Sequence, residues 1–433
     1  MTPRRILLAG WAAFLIYAWP GFMSTDSTVQ LLEARAWSFG DGHPPLMAVV
    51  WRVLELVISG PAGMILVQSA CVLFGAYHLL RRALSARAAA IAACAILLFP
   101  PNLATFAVVW KDSQMAAYLI AGTAAILSER AWVRYAGLFL LFLASGMRYN
   151  AFPATFAIVV LLWPSRGAFV RRHAIALAAW AAITGASFAA NKLLVDREWH
   201  YWHWTIAYMD IAGTLHHGGP HSDDDLRATL DGVPLRADRD IQAAIDRAFD
   251  PADFLYQNRG RDQLFRRPKD AAQRDAIARA WRRVVLGDPT AYLAYRFAVF
   301  REVLHLSDRD HGSPAYVWFV DIQDPWAARD ATDHFAEPSG FQTDARDAML
   351  ELGDTWLFRP YLYLAIALVL VPFAVRAGRD AFAVVASGLA YQAALIFVAP
   401  TPDFRYSHWL VASVTIAVVM VVARRAAARR TSA

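Results

Sequence analysis

Apolar residues along this chain gather into long blocks, and polar residues gather between them. Ten blocks, at about 6–20, 63–80, 88–100, 113–128, 132–146, 150–163, 174–192, 358–375, 381–399 and 408–423, are each long enough for a tilted or slightly short crossing of a hydrocarbon layer about 30 Å thick. The block Leu46 to Ile58 carries Arg52 and Glu55, and it reads as a helix lying on the interface. The first block follows Met-Thr-Pro-Arg-Arg with no clean cleavage signature, so it reads as an uncleaved first span.

Between 193 and 357 the pattern changes. This stretch holds 28 of the chain's 36 Asp and Glu residues. Within it, 223–249 and 270–286 show acidic starts followed by apolar residues at helical spacing. Pro289 with the AYLAYRFAVFREVLHL run predicts an amphipathic helix along the membrane, and WHYWHW at 199–204 suits an interfacial belt. The expected architecture is therefore an all-α polytopic membrane protein. It has an N-terminal membrane part over 1–192 with a first outer loop at 21–62, a mostly helical extracytoplasmic domain over 193–357, and three further spans over 358–433.

Composition agrees with that pattern. Only 18% of residues are charged against 58% hydrophobic, and mean hydropathy is +0.33; a soluble chain carries about 25% charged residues. The net charge of +6 comes from arginines at span ends, which argues against a nucleic-acid partner. Arg4/Arg5, Arg81/Arg82/Arg87, Arg130/Arg134, Arg166/Arg171/Arg172, Arg376/Arg379 and Arg424/Arg425/Arg429/Arg430 all fall on one side. By the positive-inside rule that side is cytoplasmic, and both termini lie there. Cys71 and Cys94 sit inside apolar runs and read as packing residues.

Eight carboxylates lie outside the polar domain. Glu129 and Asp380 fall in cytoplasmic turns beside arginines, where surface pairing explains them. The other six, Asp26, Glu33, Asp41, Glu55, Asp112 and Asp403, fall on the outer side. Lys111, Arg148 and Arg405 join them there, in the motifs WKDS, MRYN and PDFRY. Ionisable groups near membrane depth are costly and are usually paired or functional. A carboxylate accepts a proton from a hydroxyl nucleophile or holds a divalent cation, and Arg and Lys hold phosphate oxygens. Both together at an outer face suit attack by a hydroxyl on a lipid-phosphate-linked group, with the cations stabilising the departing phosphate. No glycine-rich nucleotide loop is present.

The motifs STDS with Asp26, GDGHPP with Asp41 and His43, WKDS with Lys111 and Asp112, and PDFRYSHW with Arg405 and Tyr406 occur in that order on one side. In this the chain resembles the GT-C superfamily of membrane glycosyltransferases, in particular the protein mannosyltransferase and aminoarabinose transferase group (glycosyltransferase family 39-like). The likeness covers the membrane part, and beyond it only AWRRVVLGDPTAYLAYR at 280–296. It implies a GT-C-type architecture in a bacterial inner membrane, a sugar donor on polyprenyl phosphate, and an extracytoplasmic acceptor (lipid, glycan or protein). It implies an inverting transfer with Asp26 as catalytic base or metal holder. The substrate-binding candidates are Asp41, His43, Lys111, Asp112, Arg148, Tyr149, Arg405 and Tyr406. The flanks Thr25 and Ser27 supply no paired acid, so no metal ligand is assigned, and dependence on Mg²⁺ or Mn²⁺ stays open.

Each residue also has a plainer reading. Asp26 could cap a helix, His43 could fix the turn before Pro44, Lys111 and Asp112 could form a surface pair, and Arg148 could snorkel. The histidines at 200, 203, 216, 217 and 221 match no familiar zinc spacing. Rival functions are a polysaccharide polymerase or ligase, a lipid or solute transporter, and a non-catalytic envelope assembly partner. Transport is the less economical of these, since transporters place charges near the midplane between repeated halves.

Overall fold

The computed structural model describes residues 1–163, 168–236, 240–253, 264–307, 309 and 337–432; Arg166 of the arginine pattern lies outside them. Their regular elements are helices except for two short strands, and they form two compact units. The first unit takes in Met1–Arg197 together with the described parts of Gly312–Ala394 and Phe404–Ala433. The second takes in Glu198 onward through the described residues before 311, plus Leu395–Asp403.

In the first unit the helices are α1 (Pro3–Ala18), α2 (Thr25–Ala36), α3 (Pro45–Glu55), α4 (Ala62–Leu80), α5 (Ala86–Leu98), α6 (Pro100–Phe106), α7 (Lys111–Ile126), α8 (Ala131–Met147), α9 (Phe152–Leu162) and α10 (Phe169–Leu194). A proline at the first or second helical position opens α1, α3, α6 and α9; there its missing N–H would have had no partner in any case. A helix overlies each of the ten apolar blocks. Among the described residues five helices, at 62–80, 169–194, 360–377, 379–398 and 404–430, are long and apolar enough to cross a membrane, which makes this a multi-pass membrane protein. A sixth candidate is α5 with α6, bent by 67° at Phe99. Pro100 and Pro101 explain that bend, since neither donates a backbone hydrogen bond and their rings clash with the preceding turn.

Helix α7 runs between α4 and α8, and small residues permit the close approach. A Cβ added to Gly75 on α4 would lie 2.9 Å from the Ala121 backbone of α7, and one on Gly137 of α8 would lie 2.8 Å from the Ile126 nitrogen. Overlap of that kind forces backbone shifts. The block read as an interfacial helix is α3. It buries Leu46, Met47 and Trp51 and exposes Val53, Leu56 and Val57 around its end. Its first N–H, on Leu46, donates to Asn191 Oδ1 at 2.9 Å, and Asn191 Nδ2 donates to Gly146 O at 3.0 Å, tying α3, α8 and α10 together.

Two features depart from the sequence reading. The polar stretch 20–45 contains α2, twelve residues long, with Leu31 and Ala34 fully buried. Asp380 is also not in a surface turn. It is 5% exposed and holds Arg82 Nε at 2.7 Å and the Arg424 nitrogens at 2.6 and 2.7 Å. Two guanidiniums from remote parts of the chain converge there, which short-range charge counting does not register.

The second unit contains α11 (Tyr208–His217), α12 (Asp223–Thr229), α13 (Ile241–Ala248), α14 (Ala271–Gly287) and α15 (Pro289–Val303). Ser222 and Asp270 cap α12 and α14, accepting from Asp225 N and Gln273 N. The helices enclose a core around Tyr208, Ile211, Ile245, Phe265 and Ile277. Arg296 is buried, donating Nε to Ile396 O at 2.7 Å and Nη2 to Ala399 O at 3.2 Å, with Asp210 Oδ1 at 3.8 Å. Trp281 Nε1 donates to the other Asp210 oxygen at 2.8 Å.

Burial pushes the Asp210 carboxyl up to about 6, against the pull of Arg296 and Trp281. An acid raised on folding binds its proton more tightly in the native state, so stability falls as pH rises from about 4 to about 6 and then levels off. Protection of the 208–217 and 271–287 amides in the full chain, corrected for the intrinsic rise of exchange with pH, should fall across that window. Asp210→Asn should flatten the trend; an unchanged slope in that variant would assign it elsewhere.

Among the described residues the remaining helices are α16 (Gly340–Gly353), α17 (Pro360–Ala377), α18 (Arg379–Val398) and α19 (His408–Ser432). In the first unit α16 meets the end of α1, where Gln342 Nε2 donates to Tyr17 O and Trp19 O at 2.8 and 2.9 Å.

Candidate functional site

The segment leaving α1 is stitched to the segment entering α7. Phe22 N donates to Ala107 O at 3.0 Å, and Val109 N returns a bond to Phe22 O at 2.8 Å. Ser27 Oγ donates to Val109 O at 2.7 Å, and Trp110 Nε1 donates to Ser24 Oγ at 2.7 Å. Beneath them, Gln68 Nε2 on α4 donates to Val108 O at 3.1 Å and so satisfies a buried carbonyl. STDS and WKDS, more than eighty residues apart in sequence, are thereby fixed side by side.

Ser24 is the N-cap of α2, and its N–H donates to Ser27 Oγ at 3.1 Å. The capping role is therefore filled by Ser24, and Asp26 sits one position inside the first turn. Three groups surround its carboxylate: Arg405 Nη1 at 3.0 Å and Lys111 Nζ at 3.5 Å from Oδ2, and His43 Nε2 at 4.0 Å from Oδ1. The Asp26 side chain keeps 28% of its surface exposed, whereas Lys111 and Arg405 keep 12% and 13%. The acid is thus the most reachable member of the group.

Lys111 Nζ also lies 2.9 Å from His43 Nδ1. An ammonium only donates, so Nδ1 accepts and the imidazole proton sits on Nε2, facing Asp26. Burial, together with Lys111, pushes His43 down to about 3 against the pull of Asp26, which leaves the ring neutral. Burial alone raises the Asp26 carboxyl, but the charges of Lys111, Arg405 and Arg148 outweigh it and hold it well below the usual range.

A second layer lies behind. Asp112, 1% exposed, is paired through Oδ1 with Arg148 Nη1. The Arg148 guanidinium stands 4.7 Å from the Tyr406 ring centre, and Arg405 stands 4.9 Å from the Trp110 ring and 5.3 Å from Tyr406. The aromatic faces add a cation–π attraction to the ion pairs that each guanidinium already makes with Asp112 or Asp26. The Lys111–Asp112 surface pair contemplated from sequence is therefore absent from these contacts: Lys111 turns to Asp26 and His43, Asp112 to Arg148.

Asp41 and Tyr149 are placed differently. Burial, with the charges of Asp41 and Glu33 nearby, pushes the Tyr149 phenol up to about 12. Glu33 itself is 3% exposed and accepts from Gly40 N at 2.8 Å, with Arg197 Nη2 3.7 Å away. Here the strand β1 (Phe39–Gly40) pairs in parallel with β2 (Val195–Arg197), and Asp196 Oδ1 accepts from Phe39 N at 2.8 Å. These bonds hold the loop that carries His43. Glu33 was visible in sequence as one of six outer acids; Ser24, Trp110 and Arg197 carried no signal of their own.

The structure thus brings Asp26, His43, Lys111 and Arg405 into direct contact distance, sets Asp112, Arg148 and Tyr406 beside them, and leaves Asp41 and Tyr149 outside that group, with the charges of Asp41 and Glu33 acting on Tyr149. Among the described residues no three His, Cys, Asp or Glu side chains gather as metal ligands would.

No protein-family model matches the chain, and no curated protein matches it. Among solved structures, the crystal structure of ArnT from Cupriavidus metallidurans bound to undecaprenyl phosphate is similar. The TM-score is 0.36 and the identity 12%, over 97% of this chain and 77% of that one. The likeness is distant, and the chemistry has to stand on the residues themselves.

Proposed function

We propose that the protein is an inverting glycosyltransferase of the bacterial inner membrane. It moves a sugar from a polyprenyl-phosphate carrier to a hydroxyl-bearing acceptor on the extracytoplasmic side. In this reading the chain crosses the membrane about ten times with both termini cytoplasmic, and residues 193–357 form an outer domain. The supporting observation is that Arg405 and Lys111 converge on one oxygen of a reachable carboxylate, at 3.0 and 3.5 Å. Two cations that hold a carboxylate oxygen also match a phosphate oxygen.

In the reaction the acceptor oxygen attacks the anomeric carbon, and the bond from that carbon to the phosphate oxygen breaks with its electron pair on oxygen. The hydroxyl proton passes to Asp26, while Arg405 and Lys111 stabilise the polyprenyl phosphate that leaves. Neutral His43, its Nε2 proton facing Asp26, orients the carboxylate and helps hold Lys111. Arg148 adds positive charge from behind, fixed by Asp112, and Asp41 and Tyr149 are assigned to the acceptor side. A divalent metal beside Asp26 would face Lys111 and Arg405 at close range, so the donor set does not fit one, and no step uses it.

The test reads binding. Arg405→Ala and Lys111→Ala should each weaken titration of a short-chain polyprenyl phosphate in detergent by about tenfold to a hundredfold, the scale of one charge-assisted contact. Wild-type affinity in both variants would remove the phosphate role.

A further inference from the structure

At the other end of α7 from Lys111 the first unit carries a cavity of about 690 Å³ between α4, α7 and the start of α8. Its origin is legible in the residues. Gly75 brings α4 tightly against Ala121, and beside that crossing α7 offers only the small side chains of Ala124 and Ala125, so the space is left open. The lining is apolar along Ala70, Phe74 and Ala121 and basic at His78, Arg82 and Arg130, and no acidic residue lines any part of the cavity.

The nearest acids do not cancel that charge. Asp380 takes Arg82 Nε at 2.7 Å but is shared with both Arg424 nitrogens, and the Arg82 side chain remains 45% exposed. Glu129 follows Ser128 in the turn and stays outside the lining. Trp132, 68% exposed, also lines the cavity, and its amphipathic ring suits a membrane interface.

We propose that this cavity is a binding site for an anionic phospholipid, with an acyl chain along the alanine and phenylalanine wall and the phosphate at Arg82, Arg130 and His78. Apolar lining joined to a set of basic residues has the two-part chemistry of a lipid; a free phosphate would leave the apolar residues uncovered. Basic pockets between membrane helices on the cytoplasmic side recognise acidic headgroups in this way. The placement in the cytoplasmic leaflet rests on the orientation given above; the cavity, its charge and its test do not depend on sugar transfer.

Cys71 lines the same cavity and is partly accessible, which makes it a reporter in the unaltered chain. Maleimide labelling of Cys71, read by peptide mass spectrometry on protein in detergent, should slow by at least about fivefold with phosphatidylglycerol. Phosphatidylcholine and glycerol phosphate should not slow it. Arg130→Ala should lose most of that protection, and Ala124→Phe, which fills the cavity, should slow labelling without lipid. Equal protection by phosphatidylcholine would reduce the site to an ordinary lipid-facing groove. Equal protection by glycerol phosphate, or full protection in Arg130→Ala, would likewise overturn the proposal. None of these outcomes bears on Asp26, so failure here leaves the transferase reading untouched.

Discussion

Asp26→Asn is expected to lower sugar transfer by about 10²- to 10⁴-fold, the range that a positioned general base supplies, while binding polyprenyl phosphate more tightly than the wild type. The second half follows from the geometry. Arg405 and Lys111 are already engaged, at 3.0 and 3.5 Å, by an anion belonging to the protein. A phosphate that enters must take them over, and the neutral amide competes less for them. Release of one charge-assisted contact is worth about 1.5 kcal/mol, roughly tenfold in affinity. The same geometry fixes the pH behaviour. Held well below its usual range, Asp26 stays ionised through mild acid, and its contribution to stability is lost only as pH falls through that depressed value. It is a weak base until phosphate neutralises its neighbours, so donor binding and base strength rise together. Titration of polyprenyl phosphate against both proteins, with transfer measured in parallel, reads both halves. Weaker phosphate binding in Asp26→Asn would contradict the competition.

Asp112→Ala should be the most destabilising single change in the cluster. It leaves Arg148, 10% exposed, with its buried partner removed, and an uncompensated buried charge costs about 3–5 kcal/mol. The unfolding midpoint in detergent should drop by several degrees, and Arg148 should lose its place over the Tyr406 ring. The double variant Asp112→Leu with Arg148→Met removes both charges at similar volume and should recover most of the loss, since apolar replacements of buried pairs are often neutral. Its activity should stay low, because the positive charge behind Asp26 is gone. If Asp112→Ala unfolded at the wild-type midpoint, the pair would carry no structural weight.

Sequence made the apolar helices legible because they are written in local composition. Apolar block length does not depend on what packs against the block, and a helix overlies each block. The contact of Asp26 with His43, Lys111 and Arg405 was not written there. What stayed hidden depends on long-range partners. Helix α2 was concealed because its buried face, through Leu31 and Ala34, is interrupted by polar residues that are themselves buried, among them Gln30 and Glu33. Asp112 looked like a partner for its neighbour Lys111, but α8 delivers Arg148 to it instead. Asp380 looked like a surface acid until Arg82 and Arg424 met on it. The stitching of 22–27 to 107–110, which brings the motifs together, runs largely through backbone groups that no side-chain pattern announces.

In the proposed reaction Asp26 and its cations release polyprenyl phosphate as the sugar is transferred. The most direct measurement incubates the purified full chain with lipid-linked sugars and acceptor from a bacterial envelope extract and follows free polyprenyl phosphate by mass spectrometry. The wild type should release polyprenyl phosphate in step with the sugar transferred, and Asp26→Asn should release almost none. Release at the wild-type rate by Asp26→Asn, or no release by the wild type across those lipid-linked sugars, would contradict the account.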